Sequence, residues 1–469
     1  MTEIIRKQLN DSAAMRWIAM FIVAFTMMMG YFITDVVSPL ESMLENPVDQ
    51  GGMGWTSSEY GFFAGSYGII NVYLLMLFFG GLILDKLGIR FTGVLSCGLM
   101  VVGAFIKFWA IKYVSPLPTV AVPGIASFFG LTGQVKLQVL YAGLGFSIFG
   151  VGCEICGITV SKVLAKWFTG HGLALAMGIQ VGMARLGTAA ALGVSPWIAK
   201  HYQLSTPILF GVVCLCIGML AYLVYCVMDK KLDDSIKAND AAKAEVTGKS
   251  ADDEGFHLSD LKAIFTNPGF WLITILCLLF YSGVFPFLKF AAKLMIAKYH
   301  VDPELSGLIP SILPYGTIIL TPIFGTIYDR VGKGATLMVI GSVMLTLVHL
   351  FFALPILNSV GFAIALTVLL GIAFSLVPSA MWPSVPKIIP MRQLGSAYAI
   401  IFWIQNIGLT MVPILIGRVL QASTVNGQSD FSAAMWVFTG FGIAAVVVAI
   451  MLLLLDKNKH YGLEEKDVK

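Results

Sequence analysis

Gly81-Leu82-Ile83-Leu84-Asp85-Lys86-Leu87-Gly88-Ile89-Arg90 has a counterpart in Gly325-Thr326-Ile327-Tyr328-Asp329-Arg330-Val331-Gly332-Lys333. Both read G-x-x-x-D-[KR]-x-G, and both close an apolar run. A motif that returns at the same place in two halves marks a duplicated unit. In each copy the first glycine lets two helices approach, and the second supplies the backbone freedom of a tight turn. The carboxylate between them can pair with a cation or a helix N-terminus across the two halves. Gly81, Asp85, Lys86, Gly88, Arg90, Gly325, Asp329, Arg330 and Gly332 are therefore expected to gate one face of the molecule. The plainer alternative is that Asp85 and Asp329 cap turns.

The runs around these loops are made for lipid. Of 469 residues, 58% are hydrophobic and 12% charged, and the mean hydropathy of +0.86 excludes a water-soluble fold. The apolar runs lack the alternation of a barrel strand, so they are helices of about 20 residues, each able to cross ~30 Å of hydrocarbon. Twelve spans are expected, at about 16–36, 62–84, 91–112, 137–164, 172–196, 206–228, 267–295, 305–328, 334–355, 359–386, 394–420 and 431–456. The fold class is thus all-α, with two six-helix bundles over residues 1–228 and 267–469.

Charge orients the bundles. An even number of spans puts both termini on one side. Placing that side in the cytoplasm gathers about 21 of the 30 Lys and Arg there. The opposite loop, Val37 to Gly61, holds four acids and no Lys or Arg. The polar segment 229–266 is expected to be a partly disordered tether with a surface helix around Leu258 to Ile264. A net charge of +4 offers no basic face for nucleic acid. No disulfide framework is expected from seven cysteines, none in a long polar loop, and Cys153 and Cys156 are read as packing residues.

Ionisable groups inside spans are costly and are site candidates by default. Here they are Asp35, Lys107, Glu154, Arg185, Lys289 and Lys293. At 1.5 Å per residue Glu154 and Arg185 both lie near the midplane, roughly 20 Å from the cytoplasmic face. Two readings stay open: a salt bridge that neutralises both, or two clamps for the ammonium and carboxylate of a zwitterion. Lys289 and Lys293 can snorkel to the interface instead. Gly150, Gly152, Gly178, Gly182 and Gly187 leave room beside the charges, while Tyr281, Phe285, Trp382, Gln405 and Asn406 offer walls and hydrogen-bonding groups.

The doubled loop resembles the signature of the major facilitator superfamily, and the resemblance covers the whole membrane-embedded chain. It implies two bundles related by a pseudo-twofold axis, rocking about a central polar cavity. Phe149-Gly150-Val151-Gly152-Cys153-Glu154, Met183-Ala184-Arg185-Leu186-Gly187, Val284-Phe285-Pro286-Phe287, Met381-Trp382-Pro383, Gln393-Leu394-Gly395-Ser396-Ala397-Tyr398 and Ile404-Gln405-Asn406-Ile407-Gly408-Leu409 look like the branch that contains the lysosomal dipeptide transporter of animals. That resemblance implies dipeptide transport, with Glu154 on the amino terminus and Arg185 on the carboxylate. Tyr31, Asp35 and Tyr281 also stand at matching positions. Phe146 replaces the arginine that many superfamily members link to proton coupling, so the expected mode is facilitative. The loop Tyr113 to Lys136 is longer than the relative's, and no acidic dileucine address is seen at the N-terminus, so a plasma or bacterial cytoplasmic membrane is expected.

The expected function is alternating-access transport of a dipeptide or amino-acid-like solute by a monomer in a lipid bilayer. An organic-anion (dicarboxylate) carrier or exchanger, with Arg185 and Lys289 as a cationic pair, is the alternative, and a transporter-like solute sensor a third. No nucleophile elbow, metal-ligand spacing or phosphate loop is present in the sequence, so no enzyme activity, metal or cofactor is expected.

Overall fold

The computed structural model describes residues 9–168, 172–247, 264–356, 358–390, 393–425 and 428–466. Helices α1 (Ala13–Asp35), α2 (Glu41–Glu45), α3 (Ser57–Tyr73), α4 (Met76–Tyr113), α5 (Leu137–Phe168), α6 (Leu173–His201) and α7 (Thr206–Thr247) pack as one bundle. Helices α8 (Pro268–Tyr299), α9 (Leu308–Val331), α10 (Gly334–Ala353), α11 (Val360–Ile388), α12 (Leu394–Ser423) and α13 (Ser432–Lys459) pack as the other. The lobes meet along α3 with α12 and along α6 with α9.

Among the described residues eleven helices are long and apolar enough to cross a membrane, one fewer than the twelve spans expected. Two backbone breaks account for the difference. Gly88 sits at φ 76°, ψ 174° inside α4, so this 38-residue run is two crossings that meet in a turn. Upstream, Leu74 and Leu75 separate α3 from α4, with Leu75 in the left-handed region at φ 52°. The second crossing is therefore α3 together with residues 76–87, and the third is residues 89–113. Part of the polar cost of the mid-membrane break is met from the other lobe, where the Trp403 indole donates to the Val72 carbonyl at 3.0 Å.

Gly332 ends α9 at φ 72°, ψ −133°. Both motif glycines thus hold a backbone conformation that a side chain would strain, which is why the pattern needs glycine there. The first glycines behave otherwise. A Cβ on Gly81 or Gly325 would meet nothing within 4 Å, and the close approach is carried by its neighbour Gly80, whose Cβ would lie 2.7 Å from Ile155. The expected tight packing at Gly81 and Gly325 is absent, since neither glycine faces a neighbouring helix closely enough to need it.

A tighter seam joins α4 to α5. A Cβ on Gly103 would stand 2.3 Å from the Phe149 nitrogen, and one on Gly145 would stand 2.6 Å from the Lys107 nitrogen. The obstacles are backbone, which no rotamer change relieves. Gly145→Val is expected to lose about 2–3 kcal/mol of stability while Gly81→Val loses little, a contrast read by thermal unfolding in detergent. Equal melting of the two variants would refute this packing.

The tether expected over residues 229–266 begins as helix, since α7 runs on to Thr247. Asp229 and Asp233 on that extension pair with Lys166 at 2.8 and 2.5 Å and with Arg90 at 3.6 and 3.1 Å, which ties the extension to the bundle. The surface helix expected around Leu258 to Ile264 lies outside the described residues but for Ile264. The longer loop after Tyr113 folds as a hairpin of β1 (Thr119–Ala121) and β2 (Gln134–Lys136).

Candidate functional site

Glu154 is carried by α5 and Arg185 by α6. A Cβ on Gly187 would be 2.0 Å from the Met28 carbonyl, so α6 presses against α1 and brings Arg185 beside Tyr31. The guanidinium carbon lies 5.9 Å from the Tyr31 ring centroid, 5.4 Å from that of Phe285 and 5.1 Å from that of Phe374. One ring comes from the first lobe and two from the second. Their faces stabilise the cation without consuming its hydrogen-bonding fork.

Glu154 is held by a different group. The Tyr67 hydroxyl donates to Oε1 of Glu154 at 2.9 Å. Neither Glu154 nor any other described carboxylate forms an ion pair with Arg185. The salt bridge that would have neutralised both is not made in this conformation.

The second lobe supplies a wall of rings. Trp382 donates its indole N–H to the Tyr281 hydroxyl at 3.0 Å and stacks on Phe402 at 5.0 Å. Tyr281 in turn lies 5.6 Å from Phe285 and 5.8 Å from Phe374, so it braces the rings that enclose Arg185. Gln405 and Asn406 are buried in the packing of α12. Gln405 Oε1 accepts from Cys277 at 3.3 Å, and Asn406 Nδ2 donates to the Phe402 carbonyl at 3.0 Å.

Asp35, Lys289 and Lys293 lie further towards the end of the bundles opposite the motif loops. Lys289 of α8 donates to Asp35 Oδ1 at 2.7 Å and to the Thr34 carbonyl at 2.8 Å, while Thr188 donates to Asp35 Oδ2 at 2.9 Å. Lys293 meets Glu45 at 2.5 Å, Glu41 at 3.2 Å and the Ser57 hydroxyl at 3.0 Å. Lys200 and Glu304 add a further pair across the lobes. Lys107, fully buried, donates to the Ile33 carbonyl at 2.7 Å and lies 4.4 Å from the Phe146 ring centroid. Two lysines thus cap successive carbonyls that the last turn of α1 cannot satisfy itself. Lys289 forms its ion pair across the lobes, with an Asp35 that also accepts from Thr188, one turn of α6 beyond Arg185.

The motif end is open by the same measure. Asp85 pairs with Lys162 of its own lobe at 2.7 Å, and Asp329 and Arg330 are exposed with no ion pair among the described residues. Lys86 and Leu87 are exposed as well. The described polar contacts between the lobes reach no nearer this end than Val72 with Trp403 and Tyr73 with Met411. The expected cross-lobe contact of Asp85 is not made here, and its described ion pair is with Lys162 of its own lobe.

A family model described as Major Facilitator Superfamily matches residues 20–413 and 288–468. The chain belongs to that superfamily. It is accordingly a multi-pass membrane transporter and not an enzyme. It is 30% identical over 288 residues to the lysosomal dipeptide transporter MFSD1 of Gallus gallus, covering 59% of this chain and 62% of that one. To the lysosomal dipeptide transporter MFSD1 of Homo sapiens it is 26% identical over 421 residues, covering 87% and 81%. The nucleoside transporter NupG aligns in structure with a TM-score of 0.65 at 15% identity, over 93% of this chain and 98% of that one, a likeness of fold alone.

Sequence reasoning singled out Glu154 and Arg185 but missed Tyr67 and Phe374, which contact them. A tyrosine buried in a membrane must find a partner for its hydroxyl, and that rule applied to Tyr67 would have pointed towards Glu154. Phe374 carries no such signal, since a phenylalanine in a span is ordinarily packing.

Proposed function

We propose that the protein is a facilitative transporter of dipeptides that works as a monomer by alternating access. Glu154 takes the free amino terminus and Arg185 the carboxylate. The observation that carries this reading is the state of the two midplane charges. Each is stabilised by neutral side chains, Tyr67 for one and three aromatic rings for the other, so each retains capacity for an opposite charge. A buried charge without a counter-ion is costly, and a zwitterion would neutralise both at once. The names of the MFSD1 relatives support the same solute class.

In this reading the motif end, where the basic residues gather, faces the cytoplasm. The conformation described is then closed outward and open inward. Loss of the far-end ion pairs, with Asp85 and Asp329 coming into play at the motif end, would give the opposite state.

Thermal unfolding of the purified protein with a panel of dipeptides tests the proposal. A dipeptide at 100 times its dissociation constant is expected to add ~2.7 kcal/mol of stability. N-acetylation and C-amidation are each expected to remove that gain. A shift with dicarboxylates alone would replace the dipeptide reading with an organic-anion carrier.

A further inference from the structure

Glu154 is not held as a free carboxylate. Tyr67 of α3 occupies its Oε1, while Oε2 has no protein partner among the described residues. The position of Tyr67 is set by its packing against α5. A Cβ on Gly150 would fall 2.0 Å from the Tyr67 carbonyl, so only glycine lets α3 press on α5 one turn before Glu154. The Tyr67 ring is then flanked by Phe146 at 5.4 Å and Phe149 at 6.3 Å. These contacts aim the hydroxyl, and the hydroxyl in turn limits the rotation of the carboxylate.

We propose that Tyr67 is a positioning residue that leaves Glu154 one unengaged oxygen for the solute, and so makes the amino end of the site favour a primary ammonium over a guanidinium. The inference rests on the dipeptide reading above. An ammonium is a point donor and is satisfied by one carboxylate oxygen, whereas a guanidinium gains its advantage from two parallel bonds to both oxygens. With Oε1 already accepting from Tyr67, the second of those bonds must share that oxygen and is weakened.

Tyr67→Phe removes the hydroxyl and keeps the ring, so the α3–α5 packing is preserved. In proteoliposomes holding the full chain, KM for a dipeptide is expected to rise about tenfold with the maximal rate within about twofold. The preference for a dipeptide over its N-terminal guanidino analogue is expected to fall, because neither oxygen is then shared with Tyr67; a purely structural defect would leave that ratio unchanged. In a Glu154→Gln background Tyr67→Phe is expected to add nothing further. An unchanged ratio, or a full additional loss in that background, overturns the role of Tyr67. If Glu154→Gln alone leaves uptake intact, the amino clamp itself is wrong, which is a separate failure.

Discussion

Arg185→Ala is expected to abolish saturable dipeptide uptake, with a fall of at least about a hundredfold in the specificity constant. Truncating one partner of a desolvated charge pair costs about 2–5 kcal/mol, and each 1.4 kcal/mol is roughly tenfold. The variant is also expected to fold. Arg185 forms no ion pair with a described carboxylate, so its removal strands no buried acid, and the rings of Tyr31, Phe285 and Phe374 remain packed by their other neighbours. Arg185→Lys keeps the charge but loses the planar fork, and an intermediate rate is expected. Uptake of a labelled dipeptide into proteoliposomes, beside a melting curve, checks both statements. Near-normal uptake by Arg185→Ala would remove the carboxylate clamp.

Lys293→Met is expected to open the far end. Lys293 is 7% exposed and serves two acids, of which Glu41 is wholly buried and Glu45 17% exposed. Without the lysine the two carboxylates repel, and Glu41 is left buried without a counter-ion at a cost of about 3–5 kcal/mol. Separation of the lobes would return both acids to water. The equilibrium is therefore expected to move by about a hundredfold to a thousandfold towards the open form. Spin labels at Asp49→Cys and Asp302→Cys, both exposed at that end, would report it as a longer distance. Lys293→Arg should keep the short distance. An unchanged distribution in Lys293→Met would mean that these ion pairs do not hold the lobes together. Lys289→Met is expected to do less, because Asp35 keeps its hydrogen bond from Thr188.

Much of the fold was legible because its causes are local. A run of apolar residues long enough to cross lipid must be helical wherever it sits, and the repeated loop marks where each half turns. Gly88 and Gly332 could be read as turn glycines because a positive φ is a property of a residue and its immediate neighbours. The break at Leu74 and Leu75 was not legible: leucine gives no sign of it, and its carbonyl partner, Trp403, is more than three hundred residues away in sequence. The helix beyond Asp229 was likewise hidden, since its anchors Arg90 and Lys166 lie on other helices.

The site divides in the same way. Counting residues along α5 and α6 gave Glu154 and Arg185 an expected common depth, because helical rise is constant. Composition could not say whether those charges meet each other, nor that Lys289 and Lys293 turn to Asp35, Glu41 and Glu45 in a latch between lobes. Sequence by itself determined the class of fold and which charges lie inside its helices. Tertiary structure alone decided which charge has which partner, because ion pairs and aromatic enclosures extend only a few ångströms and depend on how two separately folded bundles are set against each other.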